Sequence, residues 1–271
     1  MTAEEQEIIS KYKTLARAIV ANDAPACRVI YDVLKTSGKT ISDEEVNALG
    51  LRWIMNKKNE SYNLDVADFL KEIGFDFEQV VILDQENENS GTALPFRLVS
   101  GENHQALLLG LLSRNVVPLT ICDGMGDNLL VEALMNGQVE FADELLQAGV
   151  DINNTNLAGQ SALHVFASKV NFTACDWLCR NNIDPTVEDL TTARASEMVP
   201  ESMQDWDVDC LYDALEQYVS DFRAGNPFQS SSELQAMVER EKPKDEDDED
   251  DDMTLGEQSD QAKSILSGLT P

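Results

Sequence analysis

Positive charge is scarce in this chain. Twenty Lys and Arg stand against fifty Asp and Glu over 271 residues, a net charge of −30 at pH 7. A surface this negative repels phosphate, so direct binding to nucleic acid or to an anionic bilayer is disfavoured and a basic partner is favoured. Long hydrophobic runs are missing too, with nothing near the ~18 apolar residues of a membrane span. The opening residues, Met1 to Glu7, are acidic and lead into no apolar block, so no secretion signal is expected. Cysteines are few and odd in number: Cys27, Cys122, Cys175, Cys179 and Cys210. That pattern points to reduced thiols in a cytoplasmic protein rather than to a disulfide framework. Period-2 alternation of useful length is also lacking, and the body reads as short helices broken by Gly, Asn and Asp.

Catalytic patterns are equally thin. There is no Gly-x-Ser-x-Gly elbow, no phosphate-cradling loop, no His-Glu-x-x-His and no dinucleotide fingerprint. The two histidines, His104 and His164, lie far apart, and Cys175 and Cys179 have no second pair to complete a tetrahedral metal set. Paired carboxylates are everywhere in so acidic a chain and discriminate nothing. The expectation is a non-enzymatic chain with no catalytic residues, no cofactor and no metal.

Composition shifts near Phe228. Residues 229–271 carry 13 acidic and 4 basic residues, net −9, while residues 1–228 are themselves net −21. Asp245 to Asp252 is an unbroken run of eight carboxylates, which self-repulsion and want of apolar residues should leave disordered. Two short patterns flank it. Ser231-Ser232-Glu233 with Leu234, Met237 and Val238 predicts a helical turn or two. Ser259-Asp260 with Ala262, Ile265, Leu266 and Leu269 places apolar residues on one helical stripe closed by Gly268 and Pro271. The division expected is a helical body over 1–228 and an acidic tail over 229–271 with a short terminal helix.

What is present in the body is self-similarity. Gly126-Asp127-Asn128-Leu129-Leu130 runs through Leu145-Leu146-Gln147-Ala148-Gly149-Val150-Asp151-Ile152-Asn153. The pattern restarts 33 residues after Gly126 at Gly159-Gln160-Ser161-Ala162-Leu163-His164 and runs to Asn182-Ile183-Asp184-Pro185. Each unit reads as two helices that cannot bury their apolar faces alone, so neighbours must stack. Weaker copies flank the good pair, with helix exits at Gly38, Gly74, Asn115, Gly149 and Asn182, spaced 36, 41, 34 and 33. Gly, and next Asn, is the residue that accepts the left-handed backbone ending a helix. The interval of 41 implies an inserted loop around Val81 to Ser90. Asp189 to Arg194 reads as a divergent helix opening without the glycine, followed by a capping helical stretch from Met203 to Phe222.

These residues resemble the ankyrin repeat, with its Gly-x-Thr-Pro-Leu-His-x-Ala helix start and Leu-Leu-x-x-Gly-Ala-Asp-x-Asn exit. The likeness covers most of residues 11–225 and is strong over about 120–187. It implies an all-α solenoid of about five helix–turn–helix units with short β-turn fingers. It implies a structural His164 that hydrogen-bonds backbone within and between repeats, and core roles for Trp177, Cys175 and Cys179. It also implies a protein-binding concave surface of fingers and first helices. Carried over by position, the partner-binding candidates are Met125, Asp127 and Met135 in one repeat, and Leu157, Gln160 and Ser168 in the next. The function expected is a monomeric interaction module or adaptor whose acidic concave face binds a basic protein surface. A second expectation is an acidic, nucleic-acid-mimicking inhibitor of a host nucleic-acid-binding enzyme, of viral or mobile-element origin.

Overall fold

The computed structural model describes residues 1–56, 61–81, 92–200 and 206–242. Among these the chain is an all-α solenoid with two-residue strands as its only paired ribbon. An N-terminal helix, α1 (Ala3–Tyr12), precedes the first pair, α2 (Leu15–Val20) and α3 (Ala24–Thr36). The second pair is α4 (Asp43–Ile54) and α5 (Leu64–Glu72). Strands β1 (Val80–Val81) and β2 (Thr92–Ala93) pair antiparallel and lead into α6 (Leu94–Val99) and α7 (Glu102–Ser113). They bracket residues 82–91, so the inserted loop expected there lies outside the described residues.

The repeat-like pairs α8 (Leu129–Met135) with α9 (Val139–Ala148), and α10 (Ala162–Ser168) with α11 (Phe172–Arg180), come next. A 3-10 turn at Ala195–Met198, α12 (Trp206–Ala224) and α13 (Ser232–Glu241) complete the described chain. The helices stack in two layers. First helices pack on first helices (α2 on α4, α6 on α8, α10 on the 3-10 turn), and second helices run α3, α5, α7, α9. One apolar core threads between the layers, with Leu130, Ala133, Phe141 and Leu145 buried as the repeat pattern requires, and Leu163, Phe166, Phe172 and Leu178 one unit later.

The turns obey the sequence. Gly38, Gly74, Asn115, Gly149 and Asn182, the five expected exits, all hold positive φ, from 53° at Asn115 to 100° at Gly149. Helix starts extend further than periodicity alone shows. Ser42 accepts from the Glu45 N–H while the Glu45 carboxylate accepts from the Ser42 N–H, a capping box that starts α4 five residues before Ala48.

Two elements at the ends depart from expectation. Helix α1, unforeseen, packs against α3. The tail expected from Gln229 is corrected for residues 229–242, because α13 packs against α11 and α12 and buries Leu234 and Met237. Its Glu241 carboxylate accepts from the N–H groups of Phe172 and Thr173, 2.9 and 2.7 Å away, at the positive end of the α11 dipole. The carboxylate run Asp245–Asp252 and the apolar stripe from Ala262 to Leu269 lie outside the described residues.

Candidate partner-binding surface

Three hairpin fingers recur at intervals of 33. Cys122 pairs with Asn128, Thr155 with Ser161 and Glu188 with Arg194, each antiparallel. A short polar side chain shapes every tip. Asp123 Oδ1 accepts from the N–H groups of Met125 and Asp127 (2.8 and 2.9 Å), Asn156 Oδ1 from Ala158 and Gln160 (3.0 Å each), and Asp189 Oδ1 from Thr191 and Ala193 (2.8 and 3.0 Å). Asp and Asn suit this because their side chains reach their own backbone two residues on. The tight turn then needs a left-handed residue: Gly126 at φ 88°, Gly159 at 76° and Thr192 at 68°. Thr192 supplies the position whose glycine the divergent third unit lacks.

The fingers are bolted together. Asn154 Nδ2 donates to the Gly126 carbonyl at 3.1 Å, Asn128 Nδ2 to the Asp151 carbonyl at 2.7 Å, and the Asp184 N–H to Asn153 Oδ1 at 2.8 Å. Between tips, the Leu190 N–H donates to the Ala158 carbonyl at 3.0 Å. His164 adds the tie expected of it. Its Nδ1 accepts from the Ser161 N–H at 3.2 Å, and its Nε2 donates to the Ala193 carbonyl at 3.1 Å, which fixes the Nε2–H tautomer. Burial lowers the imidazole pKa, so the ring is neutral.

The structure places the sequence candidates on this ladder unevenly. Met125 and Leu157 stand at finger tips with 66% and 75% of their surface exposed, and Met135 at the end of α8 is 48% exposed. Ser168 is exposed at the end of α10, its hydroxyl donating to the Val165 carbonyl. Asp127 and Gln160 are half-buried. Asp127 Oδ1 accepts from Asn156 Nδ2 at 3.1 Å, and burial, aided by the Asp123 charge, raises its pKa. Asp127 is thus partly a finger-to-finger strut. Met125 and Leu157 are 32 residues apart, so they are not register equivalents. Leu157 matches Gly124 and Leu190, while Met125 matches Ala158. Leu190, 78% exposed at the third tip, is the residue the sequence reading missed, and a 33-residue step from Leu157 finds it.

The other singled-out residues are structural. Trp177 is buried and donates from Nε1 to Asp143 Oδ1 at 2.8 Å. Cys175 and Cys179 are buried in α11, and desolvation pushes both thiols far above their ordinary range. His104 ties two repeats, its Nε2 lying 3.3 Å from the Ile54 carbonyl. Among the described residues no cluster of three metal-ligating side chains occurs, and no helix is long and apolar enough to cross a membrane.

Charge is distributed unequally along the stack. Residues 1–60 hold nine acidic and nine basic residues, whereas residues 119–228, which carry the fingers, hold nineteen acidic and four basic.

A row of in-register hairpin tips on stacked helix pairs defines a repeat solenoid of the interaction type. Residues 96–189 match the family model for ankyrin repeats, in three copies. A protein of Rickettsia prowazekii (strain Madrid E), described as an ankyrin repeat protein, is 52% identical over 40 residues, which cover 15% of this chain and 37% of that protein. The match therefore spans little more than a third of that relative's length. Residues 96–189 are thus similar to ankyrin repeats, and ankyrin repeats serve as protein–protein interaction modules, generally without catalytic activity.

Proposed function

We propose that the finger tips and first helices over residues 122–198 dock a basic protein, making this chain a non-enzymatic adaptor. One observation carries the reading. Met125, Leu157 and Leu190 are large apolar side chains left exposed on consecutive fingers that backbone hydrogen bonds hold rigid. Exposed apolar tips gain nothing for the fold and are the kind of surface a partner covers. Met135 and Ser168 extend the surface along α8 and α10, with Asp127 and Gln160 between the two rows. The nineteen acidic residues of 119–228 supply the charge that steers a basic partner in and makes association salt-dependent. The chain acts as a monomer in the cytoplasm on this reading, with no membrane or nucleic-acid contact of its own.

Capture of partners by tagged full-length chain tests it, with a Met125→Ser/Leu157→Ser/Leu190→Ser variant alongside. Basic proteins retained at about 50 mM salt, lost at about 500 mM and lost by the variant are the expected result. Neutral partners, or a variant that captures as well as the parent, contradict it. If the captured protein is a nucleic-acid-processing enzyme whose nucleic acid competes for the same surface, the nucleic-acid-mimicking reading replaces the adaptor reading.

A further inference from the structure

At the far end of the solenoid from α13 lies a groove of different character. About 410 Å³ in volume, it runs between the start of α2, the end of α3 and the outer side of α4. Leu15, Leu34, Ile41 and Leu49 form its apolar floor, and Lys39 and Arg52 stand exposed on its rim. Neither cation makes an ion pair or hydrogen bond among the described residues. The one rim carboxylate, Glu45, is already engaged by the backbone N–H and hydroxyl of Ser42. An apolar floor under two cations with no side-chain partner among the described residues suits an apolar segment that brings carboxylates with it.

The chain contains such a segment. Residues 243–271 hold ten acidic residues against Lys244 and Lys263, and the carboxylate run is followed by the stripe Ala262, Ile265, Leu266 and Leu269. Apolar side chains on one stripe need a surface to cover them, and the acidic body over residues 119–228 repels the carboxylates that travel with them. The N-terminal sixty residues, with balanced charge, do not.

Length permits the contact. The chain leaves α13, on the fifth helix pair, at Lys242. Four helix spacings of roughly 10 Å separate that pair from the first. The 24 residues from Pro243 to Leu266 reach about 80 Å when extended.

We propose that this groove is the docking site of the chain's own C-terminal segment, bound in cis. The stripe from Ala262 to Leu269 seats on Leu15, Leu34, Ile41 and Leu49, and the carboxylates that precede it, Asp260, Glu257 and the run from Asp245, meet Lys39 and Arg52. Docking this way keeps the acidic tail over the least acidic part of the solenoid and away from the finger surface. The inference stands independently of the identity of any partner.

Carbodiimide cross-linking of the full-length monomer, followed by peptide mapping, tests it. Carboxylates of residues 245–260 should couple to Lys39 in clear preference to Lys169, which is also exposed and lies on the finger side. Replacing the stripe's apolar residues, as Ile265→Ser/Leu266→Ser, leaves every charge and the described fold in place and should lower the Lys39 yield about tenfold. Arg52→Glu should lower it as well, with far-UV circular dichroism unchanged. Cross-links spread evenly over Lys39 and Lys169, or a yield untouched by the stripe variant, would overturn the proposal. Cross-links confined to a dimer fraction would overturn it too, since the segment would then seat on a second copy.

Discussion

The backbone N–H of Leu157 donates to the carbonyl of Met125 over 3.0 Å, as that of Leu190 does to Ala158, so the second and third apolar tips are each hydrogen-bonded to the finger before them. Gly126 sits directly behind that bond. A Cβ added there would lie 2.8 Å from the Leu157 nitrogen, whereas one added at Gly38 meets nothing within 4 Å, and both glycines hold positive φ.

The first prediction compares those two glycines. Gly38→Ala should cost about 1 kcal/mol, the left-handed penalty alone. Gly126→Ala should cost roughly twice as much, because the close contact forces the fingers apart as well. Urea denaturation measures both, and equal losses would mean the finger ladder contributes nothing to stability.

Thr192 gives the second. It is a β-branched residue at φ 68°, where the two preceding fingers have glycine. Thr192→Gly should stabilise the chain by about 0.5–1 kcal/mol, the steric relief being partly offset by the entropy a glycine brings to the unfolded state. A lower midpoint for the variant would refute the strain.

Acid sensitivity supplies the third. Burial depresses the His164 pKa in the fold, so on acidification the unfolded chain, with an ordinary value near ~6.5, takes up the proton first. The neutral ring's contribution is therefore complete above that pH and is lost as pH falls below it through the folded-state value. Against a His164→Gln reference, which cancels the carboxylates common to both chains, the wild type should lose its advantage between pH 7.5 and 5.5. A constant difference across that range would mean that the ring takes up its proton as readily in the fold as in the unfolded chain.

The fourth concerns α13. Met237 is 2% exposed between α11 and α12, and Met237→Ala should cost about 3 kcal/mol of helix docking. Since Glu241 then leaves the α11 amides, hydrogen exchange at Phe172 and Thr173 should quicken while the finger amides hold. Unchanged exchange would show that α13 does not dock in solution.

Much of this architecture is legible from residue types because single positions admit few alternatives. Only Gly or Asn turns a helix end left-handed cheaply, so the exits from Gly38 to Asn182 are readable one by one. The role of His164 is readable only through the resemblance to the ankyrin repeat, which implies its backbone partners. The end helices are not. Leu234 and Met237 make too short an apolar pattern to predict a packed helix, and they bury only because α11 offers a surface from distant sequence. Asn22 is similarly silent. Its Oδ1 accepts from Trp53 Nε1 and from the Asn63 N–H, joining the first two repeats through contacts that no local pattern encodes. Leu190 escaped notice because its finger carries Thr192 in place of glycine, which blurs the register that would have aligned it with Leu157.

Hydrogen–deuterium exchange of the full-length chain, alone and with a captured basic partner, tests the docking surface most directly. The amides of residues 122–128, 155–161 and 188–194 should gain protection together, and α8 and α10 with them. Protection confined to the second helices α9 and α11, with the three fingers unchanged, would contradict the account.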